Sequence, residues 1–147
     1  MEFLSLADLN AARDKWFDRC AGSWTSHRRY LFFGGDEPGV SNLVTHFDVE
    51  RTEDGHRVSW TGKTEGVMDL VIDGFKLHRS IGYFTSEPTT SVMAVLDYDT
   101  VVFSTSYGGN DYREEIRFLG DDLRLRQTVG RRDGRLVISG QYTEIRS

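Results

Sequence analysis

From residue 22 onward the chain is cut into short stretches rich in Val, Thr, Tyr, Phe and Trp, separated by glycine-containing turns at intervals of about 8–12 residues. Such connections are too short for the crossovers that parallel strands need, so the strands must run antiparallel as a meander. Strands are expected at 24–33, 40–50, 57–61, 67–72, 75–84, 91–96, 101–107, 112–118, 123–129 and 136–145. The turns between them include Gly34-Gly35-Asp36, Asp54-Gly55, Asp73-Gly74, Gly108-Gly109 and Asp133-Gly134. A meander of about ten strands avoids exposed edges most completely by closing on itself. The sequence therefore predicts an all-β, up-and-down antiparallel barrel, a shape that can hold one small ligand.

One segment breaks the pattern. Residues 6–20 place Leu9, Ala12, Trp16 and Cys20 on one helical stripe behind a Ser5 cap, and the stripe ends at Gly22. Its apolar face, with Phe17 beside it, predicts a short N-terminal helix that packs on the rest. The expectation is a single domain over 1–147, helix 6–20 and barrel 23–146. A chain of 147 residues buries about 68–70% of its unfolded surface, enough for a core without covalent staples.

The single cysteine excludes an internal disulfide framework, and without a secretory pattern the expected compartment is the cytoplasm. No stretch approaches the roughly 20 apolar residues of a spanning helix, so no membrane insertion is expected. A net charge of -5 argues against nucleic acid as partner. There is no phosphate-binding glycine loop and no G-x-S-x-G elbow. His27, His46, His56 and His78 show no metal-ligand spacing, so no metal site is expected. Cys20, on the helix stripe, reads as a small buried hydrophobe rather than a nucleophile.

The cations are 15 Arg and 3 Lys, and Arg suits bidentate recognition of carboxylates. The densest polar signal is Arg113-Glu114-Glu115-Ile116-Arg117-Phe118 followed by Leu123-Arg124-Leu125-Arg126-Gln127-Thr128. Alternation puts Arg124, Arg126 and Thr128 on one strand face. That face is either the cavity wall, where the arginines would hold a carboxylate ligand, or the solvated outside. If Phe118 and Leu123 close a four-residue loop, Glu115 faces Arg126 and Glu114 lies on the opposite side.

Taken together, Trp24-Thr25-Ser26-His27-Arg28, the 79–84 segment, the Arg113–Phe118 run, Leu123-Arg124-Leu125-Arg126 and the terminal Glu144-Ile145-Arg146 resemble the S/U-type (CpcS/CpeS) phycobiliprotein lyases. The resemblance extends in order over nearly the whole chain. It implies a ten-stranded lipocalin-like barrel that binds a linear tetrapyrrole, phycocyanobilin or phycoerythrobilin, as transferred substrate with no permanently bound cofactor. It implies attachment of that bilin by a thioether bond to a cysteine of a phycobiliprotein α or β subunit. It further implies that Glu114 is the catalytic carboxylate and that Arg28, Trp60, Arg124, Arg126, Thr128 and Glu144 bind the bilin. Glu114 is favoured by this resemblance, Glu115 by the hairpin register. Where the family often has a second tryptophan, about six residues after the one matching Trp60, this chain reads Gly66-Val67-Met68.

In the mechanism so implied, the acceptor supplies the thiolate and Glu114 keeps the pyrrole nitrogens protonated. The chain would work alone, as a homodimer or with a paralogous lyase partner. Two competing readings share the residues. One is a non-catalytic lipocalin-like carrier of a small hydrophobic carboxylate or haem, with His27 or His78 as axial ligand. The other is an assembly module with Arg124 and Arg126 on an outer protein-binding face.

Overall fold

The computed structural model describes residues 5–81 and 85–147. The predicted strand end at Tyr83 and Phe84 lies outside the described residues. The first element is helix α1, Leu6–Cys20. Ser5 caps it reciprocally: its hydroxyl accepts the Asp8 N–H at 3.1 Å while the Asp8 carboxylate accepts the Ser5 N–H at 3.3 Å. Ten strands follow: β1 (Gly22–Phe32), β2 (Gly39–Arg51), β3 (Gly55–Thr61), β4 (Gly66–Asp73), β5 (Lys76–Arg79), β6 (Thr89–Val95), β7 (Thr100–Tyr107), β8 (Asn110–Phe118), β9 (Leu123–Arg132) and β10 (Arg135–Arg146).

Each strand pairs antiparallel with its sequence neighbours, and β10 returns to β1, giving a closed barrel in meander order. The fold expected from turn spacing is the fold observed. None of the described helices is long and apolar enough to cross a membrane.

Helix α1 covers one end of the barrel because the hairpin turns at that end hold it. Arg13 donates to the Gly74 carbonyl of the β4–β5 turn at 2.7 Å. Trp16 Nε1 donates to the Asp99 carbonyl of the β6–β7 turn at 3.0 Å, and Arg19 reaches the Gly120 carbonyl of the β8–β9 turn at 3.1 Å. Trp16 and Phe17 then pack down against Phe103 and Phe118 within the main core cluster. At the opposite end the described connections between strands are loops, with no helix among the described residues.

The β8–β9 hairpin departs from the four-residue expectation. Phe118 pairs with Arg124, not Leu123, and residues 119–123 form an odd-numbered loop closed by the Leu119 N–H on the Leu123 carbonyl at 2.9 Å. Gly120, at φ +74, supplies the left-handed conformation that this loop needs. One extra residue in the loop shifts the register by one and exchanges the faces. Glu114 stands opposite Thr128 on the inside, and Glu115 stands opposite Gln127 on the outside.

Candidate functional site

The barrel interior contains a cavity of about 280 Å³ with two unlike walls. Strands β2 to β5 supply an apolar wall that includes Phe47, Val49, Val58, Met68, Leu70 and Leu77. Strands β1, β8 and β9 turn Arg28, Glu114, Arg124 and Arg126 toward it. Alternation accounts for this arrangement. Positions 124, 126 and 128 of β9 are buried while 125 and 127 are exposed, and the same phase buries Glu114 on β8 and Glu144 on β10. Arg124 and Arg126 are each 5% exposed, which removes the outer-face reading and with it the assembly-module alternative built on these two residues.

The arginines are tied to carboxylates inside the protein. Arg124 donates to Glu144 Oε1 at 2.8 Å. Arg126 donates to Glu144 Oε2 at 3.3 Å and to Glu114 Oε2 at 2.9 Å, and the Thr128 hydroxyl adds a bond to the same Glu114 oxygen at 3.2 Å. Arg79, on β5, lies 3.8 Å from Glu114 Oε1 and donates to the Ser91 hydroxyl. Burial alone would raise both carboxyl pKa values, but the adjacent guanidiniums outweigh it. Arg126 and Arg79 hold Glu114 below the usual range, and Arg124 and Arg126 hold Glu144 at about 2. Both are carboxylates at neutral pH. Burial pushes the Tyr142 phenol up, so it stays neutral beneath the Arg126 guanidinium, 4.5 Å from its ring centre.

Arg28 differs from the other three cavity arginines. It is half-buried, donates through Nε to the Ser26 hydroxyl at 3.0 Å and lies over the Tyr142 ring, with no carboxylate within 4.0 Å among the described residues. Four guanidiniums, Arg28, Arg79, Arg124 and Arg126, thus face two carboxylates, Glu114 and Glu144. Among these described residues the guanidiniums outnumber the carboxylates by two.

Of the residues expected from sequence, Arg28, Trp60, Glu114, Arg124 and Arg126 line the cavity. Thr128 and Glu144 sit behind that lining and hold Glu114, Arg124 and Arg126 in place. The Trp60 ring folds over Gly66, its partner across the β3–β4 ladder, so closely that a Cβ at Gly66 would come within 2.2 Å of it. The missing side chain at Gly66 is what allows this indole position. Cys20 is buried as expected, yet it is not merely apolar: Arg124 Nη1 donates to its sulfur at 3.3 Å. Burial nevertheless raises its thiol pKa, against the opposing effect of Arg124.

Two cavity residues were missed. Arg79 shares a strand face with buried Leu77, and His56 shares one with Val58 and Trp60; the period-two phase of those neighbours was the available signal. His27 and His78, the expected axial ligands of a haem carrier, lie outside: His27 is exposed, and His78 bonds Thr90 and Asp73 on the outer face. Among the described residues no cluster of three or more His, Cys, Asp or Glu could hold a metal. A shallower depression of about 680 Å³, open to solvent, runs over the outer face around His27, Arg29, Glu115, Arg117 and Gln127. It lacks the apolar enclosure that a small-molecule site requires.

Comparisons with known proteins agree with this architecture. A protein of Picosynechococcus sp. named as chromophore lyase CpcV is 26% identical over 170 residues, covering 96% of this chain and 84% of that one. A Nostoc sp. protein named as phycocyanobilin lyase CpcS 2 is 26% identical over 160 residues, covering 90% and 89%. The S-type phycobiliprotein lyase CPES from Guillardia theta superposes with a TM-score of 0.70 at 22% identity, covering 92% of each chain. A DUF3598-family protein of unknown function from Nostoc punctiforme superposes at 0.65 and 15% identity, covering 89% of this chain and 49% of its own. The family model described as CpeS-like protein matches residues 72–147, just over half of the sequence and the part that carries Arg79, Glu114, Arg124, Arg126 and Glu144. The chain belongs to the CpeS-like protein family.

Proposed function

We propose that this protein is a phycobiliprotein lyase that binds a linear tetrapyrrole and delivers it to a cysteine of an α or β phycobiliprotein subunit. The observation that carries this reading is the charge imbalance of the cavity: among the described residues, two more guanidiniums than carboxylates beside an apolar wall. A bilin is an elongated apolar pigment with two propionates, so it matches both the surplus charge and the opposite wall. The names of the relatives support the same substrate class.

A volume of about 280 Å³ falls just below the usual range of about 300–1,000 Å³ for small-molecule sites, so a tetrapyrrole enters only part way. The part left outside is what an acceptor protein can reach. Arg28, with no carboxylate partner, takes a propionate. The Glu114 carboxylate accepts hydrogen bonds from pyrrole N–H groups and favours their protonated, electrophilic form. Trp60 forms a wall of the site, and Arg124, Arg126, Thr128 and Glu144 fix the carboxylate and the guanidinium planes around it.

The bond-forming step needs no nucleophile from this chain. The acceptor thiolate adds to the exocyclic double bond of ring A, forming the C–S bond as the π bond breaks, and a proton is delivered to the neighbouring ring carbon. The lyase contributes position and electrostatics. Such chemistry belongs to the cytoplasm, where the acceptor cysteines are reduced, with the protein acting alone, as a homodimer or beside a paralogous lyase.

Co-expression with candidate α and β subunits in a bilin-producing host tests the reading. Covalent colour on a subunit that survives acid denaturation, and depends on this protein, is the expected result. Reversible bilin binding with no covalent transfer to any subunit would instead support a carrier.

A further inference from the structure

The apolar wall has one titratable residue among the described side chains of β3 and β4, and the chemistry above does not use it. His56 is 4% exposed and lines the cavity beside Val58 and Leu70, its ring stacked on Phe17 of the covering helix with centroids 5.7 Å apart. Neither ring nitrogen makes a well-formed hydrogen bond among the described residues, although the Phe17 backbone lies near enough to favour the protonated ring. The outer-face histidines are better served: His46 meets the Thr25 hydroxyl at 3.0 Å and His78 the Thr90 hydroxyl at 2.9 Å. A buried imidazole so poorly satisfied costs the fold stability, and a phenylalanine or leucine would fill this place without that cost. A poorly satisfied imidazole in a cavity wall points to a polar group on the ligand.

We infer that His56 binds the terminal lactam of the tetrapyrrole ring that enters the cavity first, donating its ring N–H to the lactam carbonyl oxygen. The inference rests on the lyase reading. It follows from matching the pigment's polar groups to the cavity one by one. Propionates require cations, and pyrrole N–H groups require an acceptor such as Glu114. Among the polar groups that remain are the end-ring lactams, and a neutral imidazole can serve one of them. Burial and the nearby Arg51 charge lower the His56 pKa, against the weaker pull of Asp18 and the Phe17 backbone, so the ring is neutral and one of its nitrogens carries the N–H. Depth selects the ring. His56 lies against Phe17 at the covered end, while ring A must stay at the open end for the acceptor thiolate, so His56 meets the opposite end ring and sets the direction of insertion.

Phycocyanobilin titrations of the wild type, His56→Phe and His56→Gln, followed by absorbance and paired with urea denaturation, test this. His56→Phe should be at least as stable as wild type and bind phycocyanobilin about three- to tenfold more weakly, while His56→Gln, which keeps a donor, should lose less. In wild-type protein with ¹⁵N-labelled histidine, the His56 ring signals should shift on adding phycocyanobilin and those of His27 and His46 should not. Unchanged affinity in His56→Phe together with unmoved His56 ring signals would overturn the inference while leaving the lyase reading intact. A His56→Phe protein of lower stability would also overturn it, since the imidazole would then be serving the fold. Wild-type protein that binds no phycocyanobilin would overturn the underlying reading itself.

Discussion

The Arg126 guanidinium clasps Glu114 across the β8–β9 ladder, Nη2 to Oε2 at 2.9 Å, and its other terminal nitrogen holds Glu144 at 3.3 Å. Glu114 therefore cannot be changed without touching a buried network. Glu114→Gln keeps an oxygen that Arg126 and Thr128 can still bond, so the expected loss of stability is about 1–3 kcal/mol by urea denaturation. Bilin binding should largely persist. The bound pigment's absorption should move away from the protonated form, and transfer to the acceptor cysteine should slow. Glu115→Gln, on the outer face, should change none of these.

The identity of this carboxylate shows what the sequence could and could not reveal. Turn spacing and alternation are local properties, so the number of strands, their order and the shared face of 124, 126 and 128 were legible, but not whether that face pointed inward. Register was not, because it depended on whether the β8–β9 loop had an even or an odd length, and both Phe118–Leu123 and Phe118–Arg124 closures suit the same residues. The partnering of the arginines was hidden for a related reason. Glu144 lies 20 residues from Arg124, and the register of the β9–β10 ladder sets the two opposite each other at 2.8 Å. An interior that looked like free arginines awaiting an anion holds Arg124 and Arg126 already paired, with Arg28 left to face a ligand.

Arg28 should accordingly discriminate between free and esterified pigment. Phycocyanobilin should bind the wild type about tenfold more tightly than its dimethyl ester, the magnitude of one partly sheltered charge-assisted contact. In Arg28→Gln that preference should shrink toward equality. A preference unchanged in the variant would place the propionates elsewhere. Arg124→Ala with Arg126→Ala is a poorer test, because it strands two buried carboxylates and should unfold the protein by several kcal/mol.

Cys20 lies at the base of the charged wall, with its sulfur accepting from Arg124. A serine can accept the same bond, so Cys20→Ser should fold and transfer bilin as the wild type does. Alkylation of the native thiol by iodoacetamide at pH 7 should be much slower than in urea, since burial raises its pKa and blocks access. A folded Cys20→Ser protein that had lost transfer would bring this thiol into the mechanism.

Glu144 predicts a pH dependence of stability. Its folded pKa of about 2 lies below the ordinary 4.5, because Arg124, Arg126 and Arg28 favour the carboxylate more than burial disfavours it. A depressed carboxyl pKa stabilises the fold above the unfolded value, and the gain disappears as pH falls from about 4.5 to about 2. The displacement corresponds to a contribution of about 3 kcal/mol. Urea midpoints should drop steeply between about pH 4.5 and pH 2, and in Glu144→Gln, less stable at pH 7, that drop should be shallower.

Gly66 offers a test of the cavity wall that leaves the charged network alone. The Trp60 indole occupies the space where a Gly66 side chain would stand, and the ring, only partly buried, can swing aside. Gly66→Ala should therefore fold with little loss of stability but displace the indole, seen as a shift in tryptophan emission. If Trp60 forms a wall of the bilin site, the same variant should change the absorption maximum and weaken the affinity of bound phycocyanobilin. A displaced indole with an unaltered bilin spectrum and affinity would make Trp60 a packing residue, and the wall would then consist of Phe47, Met68 and Leu70 from the neighbouring strands.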